Sequence, residues 1–417
     1  MRATVINVLF FTLSMCYGQG NPPLPNPLPP SNLHIGLTER IGNFSVELLY
    51  HATKQQQTQQ NLILSPITVW TVLAVISEGA TEGTLRQINH AIRIKTKSRE
   101  AVRQDFREIA RWLRVNTKTV QLAKINAIFV HSDTLPRTDF SALAKNFYDT
   151  DVVTLNFNDS VNAANSINHA IANVTHGRIP KIVDSSYFQN SQMILTSALY
   201  FKGQWTFPFN ATSTSKMSFY SSLGQKIGEV NMMYNRHNYP FANIQQLQAR
   251  VIEIPYGKEN RLSMLIMLPH PDVSLDTMFY NFQKITLDKV FEELKISKEE
   301  FGDDEVDCLI PRFKIESNID LTEIMRNKFN MQDLFDESRA RLPRMAAWPV
   351  YVSKMIHKAE IEVSEEGTTA SGVTVVEFSN RIGVIRFEAN RPFSYVIIEK
   401  ITNSIVFGGV YQEPSLY

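Results

Sequence analysis

Residues 365–392 read EEGTTASGVTVVEFSNRIGVIRFEANRP. Two acids and a glycine open the stretch, followed by small and β-branched residues from Thr368 to Val376. Asn380-Arg381-Ile382 then places a base between a polar and an apolar side chain, and a strand-like run from Val384 to Phe387 closes it. The β-branched content of 368–378 favours strand, while Gly367, Gly372 and Gly383 loosen the chain. Side chains alternate faces along a strand. One face would carry Thr368, Ala370, Gly372, Thr374, Val376 and Phe378, all small or uncharged, so it can enter a packed sheet without burying a charge. The other would carry Thr369, Ser371, Val373, Val375 and Glu377. On the residues alone two readings stay open: an ordinary edge hairpin, or an exposed loop able to become a central strand.

The order E-E-G-T-x-A, followed by small residues, resembles the hinge of the reactive loop of the serpins. The run from Phe387 to Phe393, FEANRPF, resembles the signature that follows that loop. This resemblance implies an α+β serpin fold: three β-sheets, about eight or nine helices and an exposed reactive loop. It assigns the hinge to Glu365, Glu366, Gly367, Thr368, Thr369, Ala370, Ser371 and Gly372. Gly372 and Val373 stand where alanines are common, and neither blocks insertion into a sheet. In the family the cleaved bond lies a fixed distance from both landmarks. Counting forward from Gly367 and backward from Phe393 gives the same bond, Arg381–Ile382. Arg386 is a rival base five residues further on.

Working outward, 417 residues suffice for a large core, and no composition break inside 32–417 marks a linker. We expect residues 33–417 to form a single serpin domain. The net charge of +1 indicates neither nucleic acid nor membrane as a partner. The N-terminus reads as a secretory signal over 1–18, with Arg2 as its basic start and an apolar run over 5–16. Cleavage is expected after Gly18, and as late as Gly20; the competing reading is a short membrane anchor, for which the run is too short. Residues 19–32 include NPPLPNPLPPS, a proline-rich tail that cannot form helix or sheet interior.

Removing the signal removes Cys16 and leaves Cys308 alone, so no internal disulfide forms and the core must hold the fold. Cys308 reads as a buried thiol. Four N-glycosylation sequons start at Asn43, Asn158, Asn173 and Asn210. Two or three are expected to carry glycan, Asn173 being the weakest because Thr175 has a structural part to play.

Asn61-Leu-Ile-Leu-Ser-Pro reads as a short strand, with Ser65 as a helix cap and Pro66 opening a helix over 67–77. Val102, Phe106, Ile109 and Leu113 form the apolar stripe of a helix over 99–114, and Arg99, Arg103, Arg107 and Arg111 recur every four residues beside it. A row of arginines suits a sulfated polyanion, and in some serpins the matching helix binds one. The competing reading, which we prefer, is a solvated face diluted by Glu100, Asp105 and Glu108. Segments 120–130 and 151–157 read as strands and 321–335 as a further helix; 193–205 resembles a central strand of the serpin main sheet with its turn, and 166–179 resembles the helix over that sheet with its exit turn, ended by Gly177.

Several of these segments resemble serpin motifs in family order. The resemblance places Ser65, Ser197, Trp205 and His357 where the main sheet parts. Ser197 departs from the asparagine usual there, and its reach towards His357 is shorter. Ala170 replaces a usual tryptophan.

No Gly-x-Ser-x-Gly elbow, His-Glu-x-x-His helix or phosphate-binding Gly-Lys loop is present, and the nine histidines lack metal-ligand spacing. We expect no enzyme, no metal and no cofactor. The resemblance implies instead a secreted, monomeric inhibitor of trypsin-like serine proteases that cleave after arginine. Its alternative is a non-inhibitory serpin acting as carrier, storage protein or chaperone.

Overall fold

The computed structural model of the protein describes residues 32–55, 60–95, 98–175, 177–302, 304–366 and 385–417. The hinge residues Gly367, Thr368, Thr369, Ala370, Ser371 and Gly372 and the bond Arg381–Ile382 lie outside the described residues, as do residues 1–31.

The strand Met193–Gly203, MILTSALYFKG, is buried along nearly its whole length. A strand covered on both faces needs apolar residues at consecutive positions rather than in alternation, and this one has them. Met193, Leu195 and Leu199 point into the main core, while Ile194 and Ala198 point into a smaller one. The smaller core is closed by the helix Ser160–Val174, whose Ala163, Ala164, Ile167 and Ile171 form one stripe at helical spacing. The main core holds the helix Pro66–Gly79, in which every residue is buried.

Met193–Gly203 is the middle of a five-stranded sheet ordered Phe313–Asp320, Lys354–Val363, Met193–Gly203, Val120–His131 and Asp151–Leu155. A six-stranded sheet runs Leu62–Leu64, Ser404–Tyr411, Phe393–Glu399, Leu262–Pro269, Ala249–Tyr256 and Phe241–Ile244. A four-stranded sheet runs Ile385–Glu388, Val306–Pro311, Lys226–His237 and Ser215–Tyr220. With nine α-helices among the described residues and these three sheets, the fold has the α+β class and the element numbers expected from the sequence. Cys308 is a buried free thiol in the four-stranded sheet, and burial pushes its pKa well above the ordinary thiol value.

Two local expectations change. Segment 321–335 is not one helix: Thr322–Asn327 is a short α-helix, Asn330 takes a left-handed φ of 54°, and Asp333–Phe335 is a turn of 3-10 helix. Ser65 stands at the cap position of Pro66–Gly79 but makes no side-chain cap bond; its hydroxyl donates to the Val406 carbonyl at 2.7 Å.

Gly409 shows how tightly the six-stranded sheet closes. It is paired with both Ile63 and Tyr395, and a Cβ there would sit on the Leu62 carbonyl oxygen and the Tyr395 hydroxyl. Gly409→Ala is expected to cost about 3 kcal/mol or more. Soluble yield and the urea midpoint measure it; an unchanged midpoint would contradict the packing described here.

Candidate functional site

Among the described residues, the five-stranded sheet has one parallel pair of neighbours besides the one made by the edge strand Asp151–Leu155. These are Lys354–Val363 and Met193–Gly203. Their pairing starts at Lys354↔Ile194 and stops at Glu360↔Tyr200. Each strand continues to pair with its outer neighbour beyond that point, to Phe313↔Val363 on one side and Val120↔Gly203 on the other. The two strands therefore diverge at one end into a mouth. Beyond Glu360↔Tyr200, residues 361–363 and 201–202 have no register partners across the gap, and parted strand edges are templates for an added strand.

The chain that leaves Val363 passes directly over this mouth, and Trp205 pins it. The indole Nε1–H donates to the Ser364 carbonyl at 2.8 Å, the Trp205 main-chain N–H to Glu366 at 3.3 Å, and the Phe209 N–H to Glu365 at 2.7 Å. Trp205 is itself fixed by stacking on Tyr256, with ring centroids 4.2 Å apart and 15° between planes. Glu365 is buried, and its side chain, 9 % exposed, accepts from the Thr214 hydroxyl at 2.7 Å and pairs with Arg312 at 3.4 Å. Arg312 also donates to the Tyr417 main-chain oxygen at 2.7 Å. Thr214 and Arg312 carry no motif that singles them out in the sequence; their part is visible only once distant segments are brought together.

Lower in the same parallel pair, three residues expected at the parting of the sheet meet. The Ser65 N–H donates to His357 Nε2 at 2.9 Å, so the ring proton lies on Nδ1 and donates to Ser197 Oγ at 2.7 Å. Serine thus reaches the histidine despite its short side chain, because Ser197 and His357 are register partners. Burial lowers the His357 pKa to about 3, leaving the ring neutral.

This makes the parting point acid-sensitive. Unfolded histidine titrates near 6.5, well above the folded value, so the stabilising contribution is complete above about pH 6.5 and is lost as pH falls towards 3. Between pH 6.5 and 5 the loss is about 2 kcal/mol. The thermal midpoint of the intact protein is expected to fall over this range, with a shallower fall in His357→Gln, which still accepts from Ser65 and donates to Ser197. Equal slopes in the two proteins would refute the assignment.

The arginine row is divided by its surroundings. Arg99 donates to the Glu78 and Ala80 carbonyls at 3.2 and 3.4 Å, and Arg103 grips the buried Glu78 carboxylate with two bonds of 2.9 Å. Tyr148 donates to the same carboxylate at 2.9 Å. Arg107 lies over the Phe147 ring, and the exposed Arg111 pairs loosely with Glu108. Two of the four bases, Arg99 and Arg103, are therefore engaged within the molecule, so neither the polyanion face nor the preferred, wholly solvated face describes the row.

Among the sequons, Asn158 and Asn173 are exposed and Asn43 and Asn210 are half-buried. The Asn43 hydroxyl partner Ser45 is buried against Ile41 O at 2.7 Å. Thr175 is also buried, donating to Ile171 O at 2.8 Å and accepting from Ile179 N–H at 3.0 Å. Asn210 accepts from the Thr212 N–H and hydroxyl at 3.0 and 2.8 Å.

The parallel pair thus parts at one end, carries a pinned chain there and holds a buried polar network lower down. The model of the family Serpin (serine protease inhibitor) matches residues 39–414, and the chain belongs to that family. It is 28% identical over 413 residues to plasminogen activator inhibitor 2 of Homo sapiens, covering 89% of this chain and 98% of that protein. Among solved structures it resembles serine protease inhibitor (serpin)-12 of Manduca sexta at a TM-score of 0.78 and 23% identity, covering 90% of this chain and 99% of that one. It also resembles human thyroxine-binding globulin at 0.76 and 22%, covering 91% and 98%. At these identities the structural likenesses speak for the fold alone.

Proposed function

We propose that the protein is a secreted inhibitor that traps trypsin-like serine proteases by suicide cleavage at Arg381–Ile382. The observation that carries the reading is the mouth between Lys354–Val363 and Met193–Gly203, lying beneath the point where the chain enters segment 367–384. The hinge sequence supports it, since Thr368, Ala370 and Gly372 can be buried without a charge. Arg381 supports the target class, because a carboxylate at the base of a protease pocket pairs with guanidinium.

In this reading the protease serine attacks the Arg381 carbonyl carbon, and the bond to the Ile382 nitrogen breaks. The new amine takes the proton held by the protease histidine, and Arg381 remains as an acyl ester on the serine. The freed segment then enters the mouth as an added strand. Strand pairing on both of its edges drives the move, and the protease is carried along before water deacylates it. Arg381-Ile382-Gly383 resembles the activation bond of trypsin-like zymogens, which supports activating proteases of an extracellular cascade as targets. The apolar run over 5–16 supports secretion, and the exposed Asn158 supports a glycan.

Mixing the protein with trypsin tests this on a denaturing gel. The expected result is a covalent complex that survives boiling, with a released fragment whose first residue is Ile382. Clean cleavage without a complex would overturn the trap and leave the carrier, storage or chaperone reading in its place.

A further inference from the structure

Asn126 lies in the strand Val120–His131, opposite Ser197, and is 2 % exposed. Among the described residues, neither its amide nitrogen nor its side-chain oxygen has a hydrogen-bond partner. A buried carboxamide with both ends unpaired destabilises the state that contains it. Register partners point to the same face of a sheet. The pairs Asn126↔Ser197 and Ser197↔His357 therefore line up three polar side chains across three strands, with Ser197 in the middle. Here Ser197 is turned to His357 at 2.7 Å.

The two contacts open to Ser197 differ in what strand insertion does to them. The Ser197–His357 bond spans the parallel pair. An added strand between the two would widen their spacing from about 4.8 Å to about 9.6 Å, and the bond would break. The pairing of Met193–Gly203 with Val120–His131 lies on the other side and is untouched. Across it, opposed Cβ atoms stand about 4.5–5.5 Å apart, so a change of one rotamer brings the Ser197 hydroxyl within reach of Asn126. The hydroxyl both donates and accepts, and the carboxamide offers both kinds of partner.

We propose that Ser197 is a two-position hydroxyl, bonded to His357 in the closed sheet and to Asn126 in the opened one. Asn126 is a positioning residue for strand insertion: its unmet polar atoms raise the closed form and are met in the open form. The inference rests on the strand-inserting reading of the protein and adds to it the residue that receives the released serine.

A double-mutant cycle tests the switch. Asn126→Leu, Ser197→Ala and the pair are made in the full chain, and unfolding rates in guanidinium are measured on intact protein and on protein nicked within 367–384. In the intact form Asn126→Leu is expected to leave unfolding unchanged or slow it, and the two substitutions to add. In the nicked form each is expected to speed unfolding, with a coupling of about tenfold between them. Should the leucine variant not fold, Asn126→Ala serves the same cycle. Coupling of equal size in both forms, or none in a nicked form that has gained stability, would overturn the switch alone. A nicked form no more stable than the intact protein would mean that no strand has entered, and would remove the insertion reading and the switch together.

Discussion

Glu365→Lys is expected to lower the thermal midpoint of the intact protein by about 5–10 °C and to make it self-associate on warming. The carboxylate is buried, accepts from Thr214 at 2.7 Å and faces Arg312 at 3.4 Å. An ammonium group in its place would lose the acceptor, meet a guanidinium and have nowhere to be solvated. Breaking a buried pair in this way costs about 3–5 kcal/mol. The loss falls on the segment that Trp205 and Phe209 hold over the mouth, so the damage is to the closure rather than to the core. An opened mouth presents strand edges that a second molecule can fill. Glu365→Gln, which still accepts from Thr214, should show the smaller part of the effect. Adding Arg312→Glu to Glu365→Lys should recover only some of it, because Arg312 also holds the Tyr417 main chain. Differential scanning and size-exclusion chromatography after mild heating decide the matter. A midpoint within about 1 °C of the parent would mean that the Glu365 contacts do not hold the closure.

Thr368→Arg is expected to convert the inhibitor into a substrate. Inhibition in the proposed mechanism is a race between strand insertion and deacylation, and Thr368 begins the segment that must enter. A guanidinium on its buried face would add about 3 kcal/mol to insertion, which slows it by more than a hundredfold. Deacylation of the trapped protease is not slowed, so water wins. With trypsin, the covalent band should fall to a trace while cleavage after Arg381 continues at the parental rate. A variant that still forms the complex stoichiometrically would show that this side chain is not buried during trapping.

The sequence exposes the fold in its strands and in the order of its motifs. Met193–Gly203 is identified as a central strand through the family resemblance, and its nearly continuous burial explains why its apolar residues are consecutive rather than alternating. Ser65, Ser197, Trp205 and His357 are legible as one group only through the family resemblance, since they lie far apart in the chain. Thr214 and Arg312 are not legible at all: a threonine and a surface-type arginine look the same in sequence whether or not a buried glutamate waits for them. The arginine row marks the same limit from the other side. Spacing by four correctly puts the bases on one side of a helix, but periodicity does not say that Glu78 and two carbonyls stand opposite. The helix expected over 321–335 fails for a local reason, the left-handed Asn330, which turns the chain before a third helical turn can form.

The direction of the strands at the mouth has a consequence for what it will admit. A segment that continues from Val363 and folds back must run opposite to Lys354–Val363. Because Met193–Gly203 points the same way as that strand, the returning segment runs opposite to it as well. Both new ladders would have antiparallel geometry, with its straighter and slightly stronger bonds. Between antiparallel neighbours, as at the adjoining gap with Val120–His131, a newcomer is condemned to one slanted ladder whichever way it enters. Strand polarity therefore selects the gap, and the direction of travel through it, before any side chain is consulted.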